Sequence, residues 1–149
     1  MTSIDLPDLA ATETLAARVA ARARPGDAVL LSGPLGAGKS AFARAMIRSL
    51  AGDRTLDVPS PTFTLVQSYA TPELAVHHLD LWRLPPWSPA SDPLCELGWD
   101  DFAGDVVIVE WPDRLGPRAP QDALRIELGA GATESSRVAR LDGWDDRGL

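Results

Sequence analysis

The sequence predicts a single-domain α/β fold, with a β-sheet at its centre and helices on the sheet. Two unbroken apolar runs, 28–31 and 106–109, are typical of strands covered on both faces. Apolar residues at helical spacing before and after the first run indicate the helices. Alternating apolar and charged residues over 124–128 indicate a further, half-exposed strand. The length of 149 residues fits one domain, spanning 1–149.

The first half of the chain reads as helix, strand, turn and helix. Apolar residues recur every three or four positions over about 8–23 and predict a helix, which Pro25 and Gly26 end. After the strand at 28–31 comes a glycine-rich turn. A second amphipathic helix is then predicted from about Lys39 to Leu50.

The second half holds the remaining strands. Residues 64–69 and 74–81 are predicted as two strands joined by a turn, and a short helix is expected within 94–102. A strand at 138–141 is expected to pair with 124–128 across a glycine-containing turn. The last residues, about 142–149, are rich in Asp, Gly and Arg, and we expect them to be frayed.

Composition excludes several classes of protein. The net charge of −7 counts against a chain that grips DNA or RNA by itself, because backbone affinity comes from lysine and arginine. The single cysteine, Cys95, excludes an internal disulfide framework and a cysteine-cluster metal site. No window approaches the roughly 20 apolar residues of a membrane span. Since the N-terminus also lacks the pattern of a secretion signal, we expect a cytoplasmic protein.

Residues 33–40, Gly-Pro-Leu-Gly-Ala-Gly-Lys-Ser, fit the phosphate-binding pattern G-x-x-x-x-G-K-[ST]. Glycines let the backbone curl so that its amides converge on phosphate oxygens, and the following helix adds its positive N-terminus. Lys39, the only lysine of the chain, is expected to reach the β- and γ-phosphates, and Ser40 to ligate Mg²⁺. The positions expected to contact the phosphates are Leu35, Gly36, Ala37, Gly38, Lys39, Ser40 and Ala41. The strand before and the helix after argue against a ligand-free glycine turn.

Two carboxylates are candidates for the metal and hydrolysis side of this site. Glu110 follows the apolar run 106–109, where a P-loop ATPase places a carboxylate that holds Mg²⁺ or orients the attacking water. Asp80 shares a strand face with His78, which we interpret as a hydrogen-bonding neighbour. The alternatives are a plain strand-end charge for Glu110, and a solvated edge-strand position or an ion pair with Arg83 for Asp80.

Hydroxyl side chains follow the second helix, in a loop that two prolines keep extended. In many P-loop proteins, hydroxyls at this place sense the γ-phosphate as a switch. The candidates here are Ser60, Thr62 and Thr64.

Taken in order, these motifs resemble the TsaE family, also called YjeE, the small ATPase of bacterial tRNA threonylcarbamoyladenosine synthesis. The resemblance covers nearly the whole chain. It rests on the loop and helix at 31–44, Ser-Pro-Thr-Phe-Thr-Leu-Val at 60–66, His-Leu-Asp-Leu-Trp-Arg-Leu at 78–84, Glu-Leu-Gly with Asp-Phe at 96–102, and Val-Glu-Trp-Pro at 109–112. A phosphate loop alone would be shared by many families, but the ordered set is specific.

The resemblance implies a P-loop NTPase-like mixed sheet flanked by helices, which binds ATP with Mg²⁺. Lys39 and Ser40 would serve phosphate and metal, with Lys39 also catalytic, and Asp80 and Glu110 would serve metal or hydrolysis. Thr12, at the start of the first helix, matches a family threonine near the nucleotide base. By a weaker alignment, Arg137 corresponds to a further nucleotide contact.

The family also implies partners. TsaD transfers the threonylcarbamoyl group to tRNA with TsaB, and TsaE hydrolyses ATP to sustain repeated turnover, with weak activity alone. Contact with tRNA would then be indirect, through the complex, which suits an acidic chain. The sequence departs from the family pattern at Pro34, Ser40, Ala41 and Trp82. Two other readings remain open: a small-molecule kinase, and a nucleotide-gated binding module in which hydrolysis is incidental.

Overall fold

A seven-stranded mixed sheet forms the centre of the protein in a computed structural model that describes residues 1–90 and 92–149. The strands are β1 (Thr2–Leu6), β2 (Ala28–Ser32), β3 (Val66–Ala70), β4 (Ala75–Asp80), β5 (Val106–Glu110), β6 (Leu124–Ala130) and β7 (Arg137–Asp142). The α-helices are α1 (Leu9–Arg22) and α2 (Lys39–Ala51), and two 3₁₀ segments cover Trp99–Phe102 and Pro112–Arg118. Among these residues, the helices lack the length and hydropathy that a bilayer span requires.

The strand order is β1-β7-β6-β2-β5-β4-β3. The four central strands run parallel, since β2 pairs in parallel with β5 and β6, and β5 pairs in parallel with β4. The outer pairs are antiparallel. Because parallel strands end at the same edge, the turns after β2, β4 and β5 meet there. That edge is where ligands bind in open α/β sheets.

The two faces of the sheet are covered differently. On one face, α1 and α2 pack together over the strands through side chains such as Leu15, Val19, Phe42 and Met46, all fully or almost fully buried. On the other face, the chain between β4 and β5 and the 3₁₀ segment after β5 provide the cover, with buried side chains that include Leu94 and Leu115. Both faces of β2 and β5 are therefore buried, which explains their unbroken apolar runs, whereas β6 alternates buried and exposed residues.

The predicted helices and strands are confirmed to within two residues at most boundaries. Strand β1 was not anticipated, because it is short and contains only two strongly apolar residues, Ile4 and Leu6. Its partner β7, which lies far along the chain, defines it as an edge strand. The helix expected within 94–102 is reduced to the 3₁₀ segment at its end, with turns before it.

The expectation of a frayed C-terminus is wrong, because the last residues are docked on the body of the protein. Trp144 is only 7% exposed. Arg147 donates from its guanidinium to both carboxylate oxygens of Asp27, at 2.5 and 3.1 Å, and to the backbone carbonyl of Arg22 at 3.1 Å. Since Asp27 directly precedes β2, the tail is tied to the start of the central strand.

We expect Arg147→Ala to lower the free energy of unfolding by about 1–3 kcal/mol, because it leaves the largely buried Asp27 carboxylate without its cation. Chemical denaturation of both proteins measures the difference. Arg140→Ala is a matched control. Its ion pair with Glu127 has both side chains 59% exposed, so about 0.5 kcal/mol or less is expected there. Equal losses in the two variants would contradict a docked tail.

Candidate functional site

The phosphate loop joins the end of β2 to the start of α2. Three of its glycines have positive φ: Gly33 at 140°, Gly36 at 79° and Gly38 at 102°. At Gly33 a side chain would also collide with the backbone carbonyl oxygen of Leu128, so glycine is required there. The first helical hydrogen bond runs from the amide of Phe42 to the carbonyl of Gly38, at 2.9 Å. The backbone amides of the first turn before it lack helical partners and suit an anion.

Lys39 lies inside the curl of this loop and is 5% exposed. Its Nζ donates to the carbonyl oxygens of Gly33, at 2.5 Å, and Pro34, at 2.8 Å, and lies 4.4 Å from the centroid of the Trp111 ring. Burial lowers the pKa of Lys39 below its usual value, while the charges of the two nearby carboxylates, Glu110 and Asp80, act in the opposite direction. Among the residues that the structure describes, the loop thus encloses a cation whose hydrogen-bond acceptors are backbone carbonyls.

Glu110 ends β5 beside the first turn of α2 and is 2% exposed. Its Oε1 accepts a hydrogen bond from the Ser40 hydroxyl at 2.9 Å. Its Oε2 lies 2.7 Å from Nε2 of His78. The Glu110 carboxylate is therefore buried and hydrogen-bonded through both oxygens rather than exposed to solvent. The structure brings together Ser40 and Glu110, two of the three residues that the sequence analysis assigned to magnesium.

Asp80 is the register partner of Glu110 in the parallel pair of β4 and β5. It is 5% exposed, and its carboxylate accepts from the Thr62 hydroxyl and from the backbone amide of Trp82, both at 3.1 Å. Neither alternative reading holds, because β4 lies inside the sheet and Arg83 stacks on the ring of Phe63. The two carboxylates therefore end neighbouring strands at one edge.

The loop after α2, which carries the candidate hydroxyls Ser60, Thr62 and Thr64, reaches this edge through Thr62. Ser60 lies 2.8 Å from Thr62 and joins the same hydrogen-bonded group, whereas Thr64 accepts from the side chain of Gln67 instead. The structure thus connects two of the three hydroxyls to Asp80, one directly and one through its neighbour.

Arg137 contacts the loop, and neither Arg137 nor Thr12 lines the cleft. Arg137 begins β7 and donates from Nη2 to the carbonyl of Gly36 at 3.0 Å. Its register partner in β1 is Leu6, which lies just before α1. Thr12, one turn into α1 and 6% exposed, therefore follows the strand end that pairs with Arg137.

A cleft of about 390 Å³ opens over the loop and the two carboxylates. Its lining comprises Leu35, Gly36, Gly38, Lys39, Ser40, Ala41, Thr62, Asp80, Trp82, Glu110 and Trp111. The sequence analysis gave no role to the two tryptophans, whose ring centroids are 4.4 Å apart. Their positions in the sequence could have indicated that they line the cleft, because Trp111 directly follows Glu110 and Trp82 comes two residues after Asp80.

The donor set of the cleft suits a magnesium–phosphate ligand. One buried ammonium and the amides at the N-terminus of α2 are complementary to a phosphate chain. The Ser40 hydroxyl and the carboxylates of Asp80 and Glu110 are hard oxygen ligands, and Mg²⁺ is commonly held by one or two carboxylates together with phosphate oxygens. The residues present therefore fit the group.

Comparison with known proteins gives a consistent result. The sequence model of a family described as "Threonylcarbamoyl adenosine biosynthesis protein TsaE" matches residues 6–139. The TsaE protein of Rickettsia bellii is 36% identical over 118 residues, covering 78% of each chain. That of Bacillus subtilis is 34% identical over 78% of this chain and 70% of its own. That of a Nostoc species is 34% identical over 95% and 85%.

A solved structure extends this likeness to three dimensions. The crystal structure of Bacillus subtilis YdiB superposes with a TM-score of 0.75 and 26% sequence identity. The match covers 98% of this chain and 87% of that one. The predicted single-domain, P-loop NTPase-like fold is confirmed.

Proposed function

Because the chain belongs to the TsaE family and is thus a component of tRNA threonylcarbamoyladenosine biosynthesis, we propose that it binds ATP with Mg²⁺ in the cleft and hydrolyses it. One observation carries this proposal. A buried lysine, a helix N-terminus, a serine hydroxyl and two strand-end carboxylates surround the same space. Such a set can bind a triphosphate and also act on it.

The loop residues bind the phosphate chain in this proposal. The amides from Leu35 to Ala41 surround the phosphates. Lys39 exchanges the carbonyls of Gly33 and Pro34 for β- and γ-phosphate oxygens, which are better acceptors because they carry charge. Arg137 holds the loop through its contact with Gly36. On the family resemblance, we assign Arg137 and Thr12 to the nucleoside end of the ligand.

The strand-end residues serve the metal and the attacking water. In this proposal, Ser40, Asp80 and Glu110 would hold Mg²⁺, which when bound neutralises charge that develops on the phosphates. A carboxylate at this edge also orients a water molecule for attack on the γ-phosphorus. Thr62, in the loop after α2, restrains the Asp80 carboxylate through a hydrogen bond. This bond couples the loop to whether the site holds a ligand.

We further propose that the chain works in the cytoplasm with TsaD and TsaB and contacts tRNA only through them. The net charge of −7 supports an indirect contact, since it opposes tight binding to a phosphate backbone. A chain whose hydrolysis serves the complex should be slow alone, because nucleotide consumption without the transferase is wasteful.

We therefore expect phosphate release from ATP to be weak with the purified chain and to rise several-fold when TsaD and TsaB are added together. The measurement is phosphate release with and without the pair, with EDTA as the magnesium control. The Lys39→Ala variant reports any ATPase that contaminates the partners. Transfer of phosphate to a metabolite instead of water would identify a kinase. Absence of any magnesium-dependent ATP affinity, measured by calorimetry, would contradict the proposed function as a whole.

A further inference from the structure

His78 is a buried polar residue that the proposed function does not yet use. It lies in β4 and is 1% exposed. Its Nε2 lies 2.7 Å from Oε2 of Glu110 on the neighbouring strand. The preceding His77 faces the opposite side of the sheet, between Ser68 and Asp105. Two adjacent histidines thus have separate environments, and only one of them reaches the site.

The contacts of His78 define the direction of its hydrogen bond. A carboxylate accepts and does not donate, so the proton between the two groups belongs to Nε2 of the imidazole. Within the part of the chain that the structure describes, the buried Nδ1 has no hydrogen-bond partner. The ring therefore makes one directed polar contact, and that contact is with Glu110.

Glu110 is held by two side chains, one on each oxygen of its carboxylate. Among the described residues, Ser40 holds Oε1 and His78 holds Oε2. A serine hydroxyl could ligate Mg²⁺ through its oxygen and still donate its proton to Glu110. It restrains only Oε1, whereas His78 is the side chain that holds Oε2.

We propose that His78 is a positioning residue that fixes the Glu110 carboxylate for the hydrolytic step. This inference rests on the proposed function. His78 contributes by aligning the Glu110 carboxylate and not by contacting the nucleotide. Loss of the Nε2 donor should therefore lower kcat and leave nucleotide binding nearly unchanged, since Lys39 and the loop amides bind the phosphates.

The test compares His78→Leu, which removes the donor, with His78→Gln, whose side-chain amide offers an N–H near the position of Nε2. We expect kcat for ATP hydrolysis to fall roughly 10- to 100-fold in the leucine variant, with the affinity for magnesium–ATP changed less than about twofold. The glutamine variant should recover a large part of kcat. His77→Leu is the matched control, because it removes a neighbouring histidine of the same strand and should keep kcat.

Several outcomes would overturn the inference alone, provided that the wild type binds and hydrolyses ATP. These are an unchanged kcat in His78→Leu, an equal loss in His77→Leu, and no recovery in His78→Gln. A wild type without nucleotide affinity would instead overturn the proposed function at the first measurement.

A second readout needs neither activity nor a folded leucine variant. Histidine ¹⁵N NMR of the wild type should show the proton of His78 on Nε2. The Nε2–H signal should shift in Glu110→Gln and stay in place in Glu127→Gln, a change at an exposed position. A proton on Nδ1, with Nε2 bare, would refute the contact.

Discussion

Lys39→Ala is expected to abolish measurable ATP binding at ordinary concentrations, and hydrolysis with it. The side chain is the only lysine in the chain and is 5% exposed inside the phosphate loop. Hydrogen bonds to charged groups contribute about 1.5–3 kcal/mol each, so losing two phosphate contacts costs roughly 3 kcal/mol or more, about a hundredfold in Kd. Isothermal titration calorimetry with magnesium–ATP measures the loss of affinity.

Lys39→Arg is expected to be nearly as damaging, although it keeps the charge. The ammonium lies between the carbonyls of Gly33 and Pro34 and against the Trp111 ring, and a planar guanidinium does not fit the space of a compact point charge. Arg140→Ala, which removes an exposed cation, should bind as the wild type does. Undiminished turnover in Lys39→Ala would refute the assignment of the site.

Glu110→Ala and Asp80→Ala are expected to reduce ATP hydrolysis far more than they reduce nucleotide binding. Both carboxylates are almost fully buried at the ends of adjacent parallel strands, next to Ser40 and Thr62. Groups that orient or activate a nucleophile contribute roughly 10²- to 10⁴-fold to rate, and we expect losses in that range. Single-turnover phosphate release gives the rate, and the affinity is measured separately with a non-hydrolysable ATP analogue.

Glu127→Ala is the control for removing a carboxylate, because that residue is exposed on β6. If the Asp80 and Glu110 variants lost nucleotide affinity as strongly as they lost hydrolysis, their assigned roles would be contradicted. Glu110→Gln also separates hydrolysis from association. If this variant still supported full tRNA modification with TsaD and TsaB, the protein would act as a nucleotide-gated binding module and not through hydrolysis.

The phosphate loop could be recognised from sequence because its chemistry is local. Glycines at 33, 36 and 38 are needed for positive φ, and the strand before and helix after them show in the hydrophobic pattern. The apolar runs of β2 and β5 predicted buried central strands for the same reason. The ligand roles of Asp80 and Glu110 remain predictions, although their burial and their common edge agree with them.

Some features depend on pairings between distant segments, which a local pattern does not contain. Strand β1 exists because β7 pairs with it, and the C-terminal residues are docked because Arg147 meets Asp27 across the fold. The contact of Arg137 with Gly36 is of the same kind. None of these pairs could be predicted from the spacing or composition of the residues involved.

The phosphate loop, the central strands and the residue types of the site follow from local sequence, because backbone conformation and burial on both faces restrict which side chains fit. Which oxygen each donor holds depends on the folded arrangement: Ser40 and His78 hold Glu110, and Thr62 holds Asp80. Strand order and register produce these pairs. They join residues up to 70 positions apart through contacts of about 3 Å, whose geometry no single segment encodes.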